Sequence, residues 1–255
     1  MTTDRNGMKA VQTILRDAGF NPGKIDGIYG GATRNALLAM AAAAALAPQL
    51  VKPPEFIQPD PEDGPLCWGA KVSRAFRDKV RAISTTLGVS PDDLMACMAW
   101  ESANTFSPSI KNAAGSGATG LIQFMPSTAV VYFHTQAELL AMNKTQRRDA
   151  ELAATDRLAA MTAVEQLDYV LKYFMPYRGR LKNLGDLYMA ILWPAGVGKA
   201  DSYVLWEKGS RPTTYRQNAG LDVNKDGRIT RAEAIEKVMA RKALGFQPGN
   251  VWSGS

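Results

Sequence analysis

The sequence is poor in the side chains that most enzyme sites are built from. Its 255 residues hold one histidine, His134, and two cysteines, Cys67 and Cys97. A single imidazole excludes His-rich zinc sites and argues against a Ser-His-Asp triad. Two cysteines without CxxC spacing give neither a disulfide scaffold nor a redox pair. Long apolar runs are also missing. The longest, Leu37 to Ala47, is alanine-dominated and too short to span a bilayer. The start shows no basic stretch leading into an apolar one, so the expectation is a chain made without an export signal. Basic and aromatic residues do not interleave in a patch, which argues against nucleic acid as a partner.

What is present centres on Ser90 to Ala129, SPDDLMACMAWESANTFSPSIKNAAGSGATGLIQFMPSTA. Ser90 suits a helix N-cap, Pro91 the first helical position, and Asp92 and Asp93 the positive end of the helix dipole. Leu94, Cys97, Met98 and Glu101 then fall at i, i+3, i+4 and i+7, which puts one carboxylate on an apolar stripe. Met95, Ala96, Ala99 and Trp100 make the other faces apolar, so the helix is expected to be buried almost all round. A carboxylate held there is desolvated, its pKa rises, and a general acid needs that property. The plainer reading of Glu101 is a helix-terminal carboxylate turned to solvent. An Asn/Ser/Gly-rich loop follows from Asn104 to Gly120, and such loops often carry sites.

Glu101-Ser102, a short loop, and then Gly117-Ala118-Thr119-Gly120-Leu121-Ile122-Gln123-Phe124-Met125-Pro126-Ser127-Thr128-Ala129 resemble the core of the soluble lytic transglycosylase (SLT, goose-lysozyme-like) domain. That family is mostly helical and cleaves peptidoglycan between N-acetylmuramic acid and N-acetylglucosamine. The resemblance implies that Glu101 is the catalytic acid and that Ser102, Gln123 and Met125 border the sugar groove. It departs at Leu192-Trp193-Pro194, ahead of Ala195-Gly196, where many members carry Tyr-Asn. Either the role of that tyrosine passes to another residue, with Tyr169 and Trp193 the two at hand, or the alignment fails there.

In chain order, Met8, Val11, Ile14, Leu15 and Ala18 mark a short amphipathic helix. A turn-rich stretch around Gly23 to Gly30 comes next, and a second helix opens near Thr33. Val11-Gln12, Gly19-Phe20, Gly23-Lys24-Ile25-Asp26-Gly27-Ile28-Tyr29-Gly30 and Thr33-Arg34 resemble a peptidoglycan-binding domain over roughly residues 6 to 45. Likeness suggests that the Asp26–Gly30 turn touches glycan or stem peptide. The alternative is that the glycines only shape the turn and Asp26 caps it. Residues 48–65 hold Pro48, Pro53, Pro54, Pro59, Pro61 and Pro65, the composition of a semi-rigid linker. Val72, Phe76, Val80, Ile83 and Leu87 then form a helical stripe ending at Gly88. Thr162-Ala163-Val164-Glu165 reads as a capping box that starts a helix with Val164, Leu167, Leu171 and Phe174 on its apolar face. Tyr169 and Tyr173 share another face with Gln166, where they either stack on sugar rings or pack. Tyr169 is carried as a candidate substrate contact.

Asp222-Val223-Asn224-Lys225-Asp226-Gly227-Arg228-Ile229-Thr230-Arg231-Ala232-Glu233 fits the twelve-residue EF-hand loop. Asp222, Asn224 and Asp226 supply side-chain oxygens, Arg228 its carbonyl, Thr230 a direct or water-bridged contact and Glu233 a bidentate carboxylate. The expected ion is a structural Ca²⁺, with no cofactor needed for the chemistry. The alternative is a polar turn that caps the next helix without metal.

The expected fold is mainly α. It comprises a small helical peptidoglycan-binding domain (1–47), a Pro-rich linker (48–65) and an α-helical lysozyme-like catalytic domain (66–255) carrying the EF-hand-type loop at 222–233. A net charge of +6 favours anionic wall polymers. The expected activity is a lytic transglycosylase of the endolysin type, monomeric and acting on peptidoglycan glycan strands after release from the host cytoplasm or carriage on a virion. A hydrolytic muramidase needs a second carboxylate, for which Asp149, Glu151 and Glu165 are the candidates. A non-catalytic wall-binding or virion structural protein is the alternative from another class.

Overall fold

The computed structural model describes residues 5–17, 21–28, 32–37, 64–113 and 115–254. Most of the Pro-rich linker and most of the Leu37–Ala47 run lie outside them. In chain order the helices are α1 (Arg5–Asp17), α2 (32–37), α3 (Arg74–Leu87), α4 (Pro91–Glu101), α5 (Pro126–Ala129), α6 (Gln136–Ala141), α7 (Lys144–Ala159), α8 (Ala163–Phe174), α9 (Leu184–Leu192), α10 (Pro212–Gln217) and α11 (Arg231–Gly245). Two strands, β1 (Val204–Glu207) and β2 (Arg228–Thr230), pair antiparallel with Trp206 opposite Ile229. The fold is mainly α, as the sequence pattern predicts. Among the described residues no helix is long and apolar enough to cross a membrane.

The chain divides into two compact units. One contains the described residues before 58 together with 126–154. Its N-terminal part is organised by one buried amide. Gln12 Nε2 donates to Asp26 Oδ1 (3.2 Å), Ile28 O (3.1 Å) and Thr33 Oγ1 (2.9 Å), and its Oε1 accepts from Gly27 N (2.9 Å). Asp26 Oδ1 also accepts from Ile28 N at 2.9 Å. Gln12 and Asp26 therefore shape the glycine turn, and Leu15 and Ala36 close the thin core beneath it.

The other unit contains the described residues from 64 to 125 and from 155 onward. Its centre is α4, whose residues Asp93 to Ala99 are all buried. Neighbours α3, α9 and α11 pack around it. Ser90 has the extended backbone of an N-cap but makes no capping hydrogen bond. The start of α4 is instead tied by its acids. Asp92 Oδ1 accepts from Cys67 N (2.8 Å), and the buried Asp93 pairs with Lys242 Nζ of α11 (2.7 Å). On α3, Phe76, Val80, Ile83 and Leu87 are buried as the stripe requires. The Thr162–Glu165 capping box forms at the start of α8. There Leu167 and Phe174 are buried, with Val164 and Leu171 only half-buried.

An aromatic group joins α3 to the chain after α4. Phe106 meets Phe76 edge-on at 5.9 Å and Trp68 at 6.3 Å. Trp68 Nε1 is bonded to Arg241 O of α11 at 3.0 Å. Phe76 is only 2% exposed, so its truncation leaves a cavity that rigid neighbours cannot fill. Phe76→Ala is expected to lower unfolding stability by about 3–5 kcal/mol, measured by urea or thermal denaturation.

Candidate active site

Glu101 is the last residue of α4. Because that helix has almost no solvent-facing side, its final turn carries the carboxylate against the protein interior. The side chain keeps some solvent access, yet burial alone pushes its pKa up to about 8. No charged neighbour contributes to the shift. Among the described residues, none hydrogen-bonds to the Glu101 carboxylate. Desolvation without a compensating partner favours the protonated acid.

The chain after Glu101 turns sharply. Ala103, Asn104 and Phe106 have φ of 49°, 67° and 49°, and Gln123 has φ of 51°. Left-handed backbone at non-glycine residues costs about 1–3 kcal/mol each and persists only where surrounding contacts enforce it. Those contacts are specific. Asn104 N donates to Ala99 O at 2.7 Å, and Asn104 Oδ1 accepts from Arg241 Nη1 at 2.9 Å. Phe106 N donates to Ser102 Oγ at 3.0 Å, and Ser102 Oγ donates to Met98 O at 2.7 Å. Further along, Thr119 and Phe124 exchange backbone hydrogen bonds of 3.1 and 2.8 Å.

One side chain of α8 clamps this loop. Gln166 is fully buried. Its Oε1 accepts from Leu121 N (2.7 Å), and its Nε2 donates to Pro108 O (3.0 Å) and Leu158 O (2.8 Å). The amide sits against Gly120, which has φ of +82°, and a Cβ at that residue would lie 2.2 Å from Gln166 Oε1. Only glycine allows this approach. Gln166 is four and eight residues before the buried Val170 and Phe174, so its burial was legible in the spacing, although its partners were not.

The phenol beside Glu101 is that of Tyr188 on α9. It is 2% exposed and accepts from Trp100 Nε1 at 3.0 Å. Burial first, and then the charge of Glu101, raise its pKa, so it stays a neutral phenol. The two residues expected to take the family tyrosine's role, Trp193 and Tyr169, have other ring neighbours. Trp193 packs edge-on against Trp206 at 5.6 Å, with the Arg211 guanidinium 5.4 Å from its ring. Tyr169 is half-buried on α8, and Lys172 Nζ lies 4.5 Å from its ring centre. Tyr173 meets Phe124 edge-on and donates to Ala190 O at 2.8 Å, which is a packing role. A buried tyrosine in a mostly apolar helix needs a hydroxyl partner, and that was the available signal for Tyr188.

The other expected groove residues divide. Ser102 has no exposed surface, and its hydroxyl is committed to Met98 and Phe106, so it shapes the turn from inside and does not border a groove. Gln123 is half-buried, and its Nε2 donates to Ile110 O (3.3 Å) and Gly120 O (3.2 Å). Met125 is 46% exposed at the end of the motif. The residues of the expected metal loop, Asp222, Asn224, Asp226, Arg228, Thr230 and Glu233, form a separate cluster at the start of β2 and α11. Gln166→Leu keeps the volume but strands one N–H and two carbonyls in the interior. It is expected to lower stability by about 2–4 kcal/mol, read from the unfolding midpoint.

Comparison with known families agrees with this geometry. Residues 4–48 match the model of a peptidoglycan binding domain. Residues 78–174 match the transglycosylase SLT domain, a span that includes Glu101, the 117–125 motif and Gln166 but ends before Tyr188. No curated protein matches the chain. The chain therefore joins an N-terminal peptidoglycan-binding domain to a transglycosylase SLT domain.

Proposed function

We propose that the protein is a peptidoglycan lytic transglycosylase of the endolysin type, with Glu101 as its single catalytic carboxyl group. The observation that carries this reading is the isolation of Glu101: half-buried, desolvated to a pKa of about 8, and without a charged neighbour. Retaining and inverting hydrolases need a second carboxylate about 5–9.5 Å from the first. Of the candidates for that role, Glu165 is committed to the α8 capping box, where hydrogen bonds from Thr162 hold its pKa below the usual range. Glu151 pairs with Arg147 at 3.0 Å.

One carboxyl group suffices for intramolecular transglycosylation. Protonated Glu101 gives its proton to the glycosidic oxygen between the N-acetylmuramic acid and N-acetylglucosamine units, and the C1–O bond breaks through an oxocarbenium-like transition state. The muramic C6 hydroxyl then attacks C1. The Glu101 carboxylate takes the hydroxyl proton, which closes a 1,6-anhydro ring and restores the acid. The neutral Tyr188, held by Trp100, leaves the surroundings of Glu101 uncharged on the α9 side. Met125 offers exposed apolar surface, and the half-buried Tyr169 an aromatic face, for sugar rings. The N-terminal domain holds the enzyme on the wall, and tethering raises the local substrate concentration. The place of action is the cell wall, reached on host lysis or from a virion.

Mass spectrometry of soluble products from purified peptidoglycan tests the reaction. Wild type is expected to release fragments with 1,6-anhydromuramic ends, and Glu101→Gln is expected to lose about 10²–10⁴ of the rate. Reducing muramic ends would establish hydrolysis instead, and intact glycan with wild type would leave a wall-binding protein.

The raised pKa also sets a pH profile. The reactive form is the protonated acid, which predominates below pH 8 and falls tenfold per unit above it. kcat/KM is therefore expected to stay level through neutral pH and to decline above about pH 8 with unit slope. A decline centred near the ordinary glutamate value would remove the burial argument.

A further inference from the structure

The loop from Asp222 to Glu233 takes no part in the proposed cleavage, and we propose that it binds one Ca²⁺. The ligands are the side chains of Asp222, Asn224, Asp226 and Glu233, the Arg228 carbonyl, and the Thr230 hydroxyl directly or through water. The proposal stands independently of the activity assigned to Glu101.

Asp222 carries the argument. Its side chain is buried, at 7% exposure. Oδ2 accepts from Tyr215 Oη at 2.6 Å and from Gly227 N at 3.1 Å. Oδ1 is buried and makes no hydrogen bond of normal geometry, with the Lys225 and Asp226 N–H groups also near the carboxylate. An enclosed carboxylate oxygen without a well-made hydrogen bond is expensive, and a hard cation is a partner that such an oxygen accepts. Asp222 is also position 1 of the twelve-residue motif, the position that supplies the first oxygen ligand. An oxygen left without a well-made hydrogen bond for an unrelated reason would have no cause to fall there.

The rest of the loop is folded for the same purpose. Gly227, at φ +84°, makes the sharp turn at position 6. Asp226 N donates to Asn224 Oδ1 at 2.9 Å, and Arg228 N donates to Asp226 Oδ1 at 2.8 Å. Glu233 reaches across the loop, its Oε1 accepting from Val223 N at 3.2 Å and Asn224 N at 3.4 Å. Its Oε2 accepts from Thr230 N (2.9 Å) and Thr230 Oγ1 (2.8 Å) as half of a capping box. With Glu233 so engaged, no three acidic side chains converge on a point among the described residues. Binding exchanges these hydrogen bonds of Glu233 for metal contacts, while Asp222 is already in place. Ca²⁺ tolerates seven-fold, partly bidentate oxygen coordination, whereas Mg²⁺ demands a near-ideal octahedron and retains its water. The loop is thus selective for the larger ion.

Arg231, inside the loop after Thr230, gives the site its consequence. Arg231 is buried, and its guanidinium bonds to Asp186 Oδ1 (3.0 Å), Asn183 Oδ1 (3.2 Å) and Asp201. Asp186 and Asn183 lie at the start of α9, the helix that carries Tyr188. A cation in the loop braces the strand-to-helix junction from which Arg231 holds α9.

Calorimetric titration of the EDTA-treated full chain with CaCl₂ or MgCl₂ tests this, alongside thermal unfolding and Tb³⁺ luminescence sensitised through Tyr215. The expected result is one Ca²⁺ per chain with a dissociation constant in roughly the micromolar to millimolar range. A Tm rise of about 5–10 °C is expected at a hundredfold excess over that constant. Asp222→Asn and Glu233→Gln should each abolish the Tb³⁺ signal and weaken Ca²⁺ at least tenfold. Gln at position 233 still completes the capping box, so that variant keeps its fold. The proposal is overturned if wild type shows neither heat nor a Tm shift at millimolar Ca²⁺, if Mg²⁺ stabilises equally, or if both variants bind like wild type.

Discussion

A helix without a solvent-facing side imposes most of this architecture. From Asp93 to Ala99 every residue of α4 is buried, so the chain must supply walls around it, and α3, α9 and α11 do so. The two ends of the helix then meet different fates. Near the first, Asp93 finds Lys242 at 2.7 Å. At the last, Glu101 finds no cation and no donor, and burial raises its pKa. A buried carboxylate is destabilising unless paired. The unpaired end is therefore a cost that the enclosing core has to offset, and a useful one if the group has to deliver a proton near neutral pH.

The loop beyond Glu101 extends the same logic to the backbone. Left-handed residues at 103, 104, 106 and 123 are held by groups that arrive from elsewhere in the unit: Arg241 of α11, Phe76 of α3 and Gln166 of α8. None of these touches a substrate in the proposed reaction. Their effect is to fix where the motif backbone lies relative to Glu101, which is what preorganised catalysis requires of its supporting residues.

Local signals in the sequence were sufficient for some of this and silent on the rest. The stripe on α3, the burial of α4, the Thr162–Glu165 capping box and the exposure of a carboxyl to desolvation at position 101 all depend on neighbours within a turn or two. The residues missed depend on distant parts of the chain. Trp100 and Tyr188 are 88 positions apart, and Gln166 and Leu121 are 45 apart. No spacing rule reaches that far. Ser90 and Ser102 show the converse failure. Local rules expect Ser90 to cap α4 and the family resemblance places Ser102 beside the groove, yet Ser90 makes no capping hydrogen bond and Ser102 is turned inward. The Tyr-Asn motif absent at Trp193-Pro194 suggested a tyrosine or tryptophan by sequence proximity. The tyrosine bonded to Trp100 is Tyr188, about a turn earlier on α9.

Leu66 and Trp252 exchange backbone hydrogen bonds of 2.8 and 3.1 Å, and the Arg77 guanidinium covers the Trp252 ring at 4.6 Å. Chain entry and chain exit thus share one clasp, with Cα atoms about 5.5 Å apart as in any such antiparallel pair. A polypeptide that begins and ends at one spot can be spliced into a surface loop of another protein without stretching either. Its old ends can also be joined by a short bridge and new ones opened elsewhere. The first and last described turns of the unit that carries α4 are thereby one doorway, through which the chain both enters and leaves it.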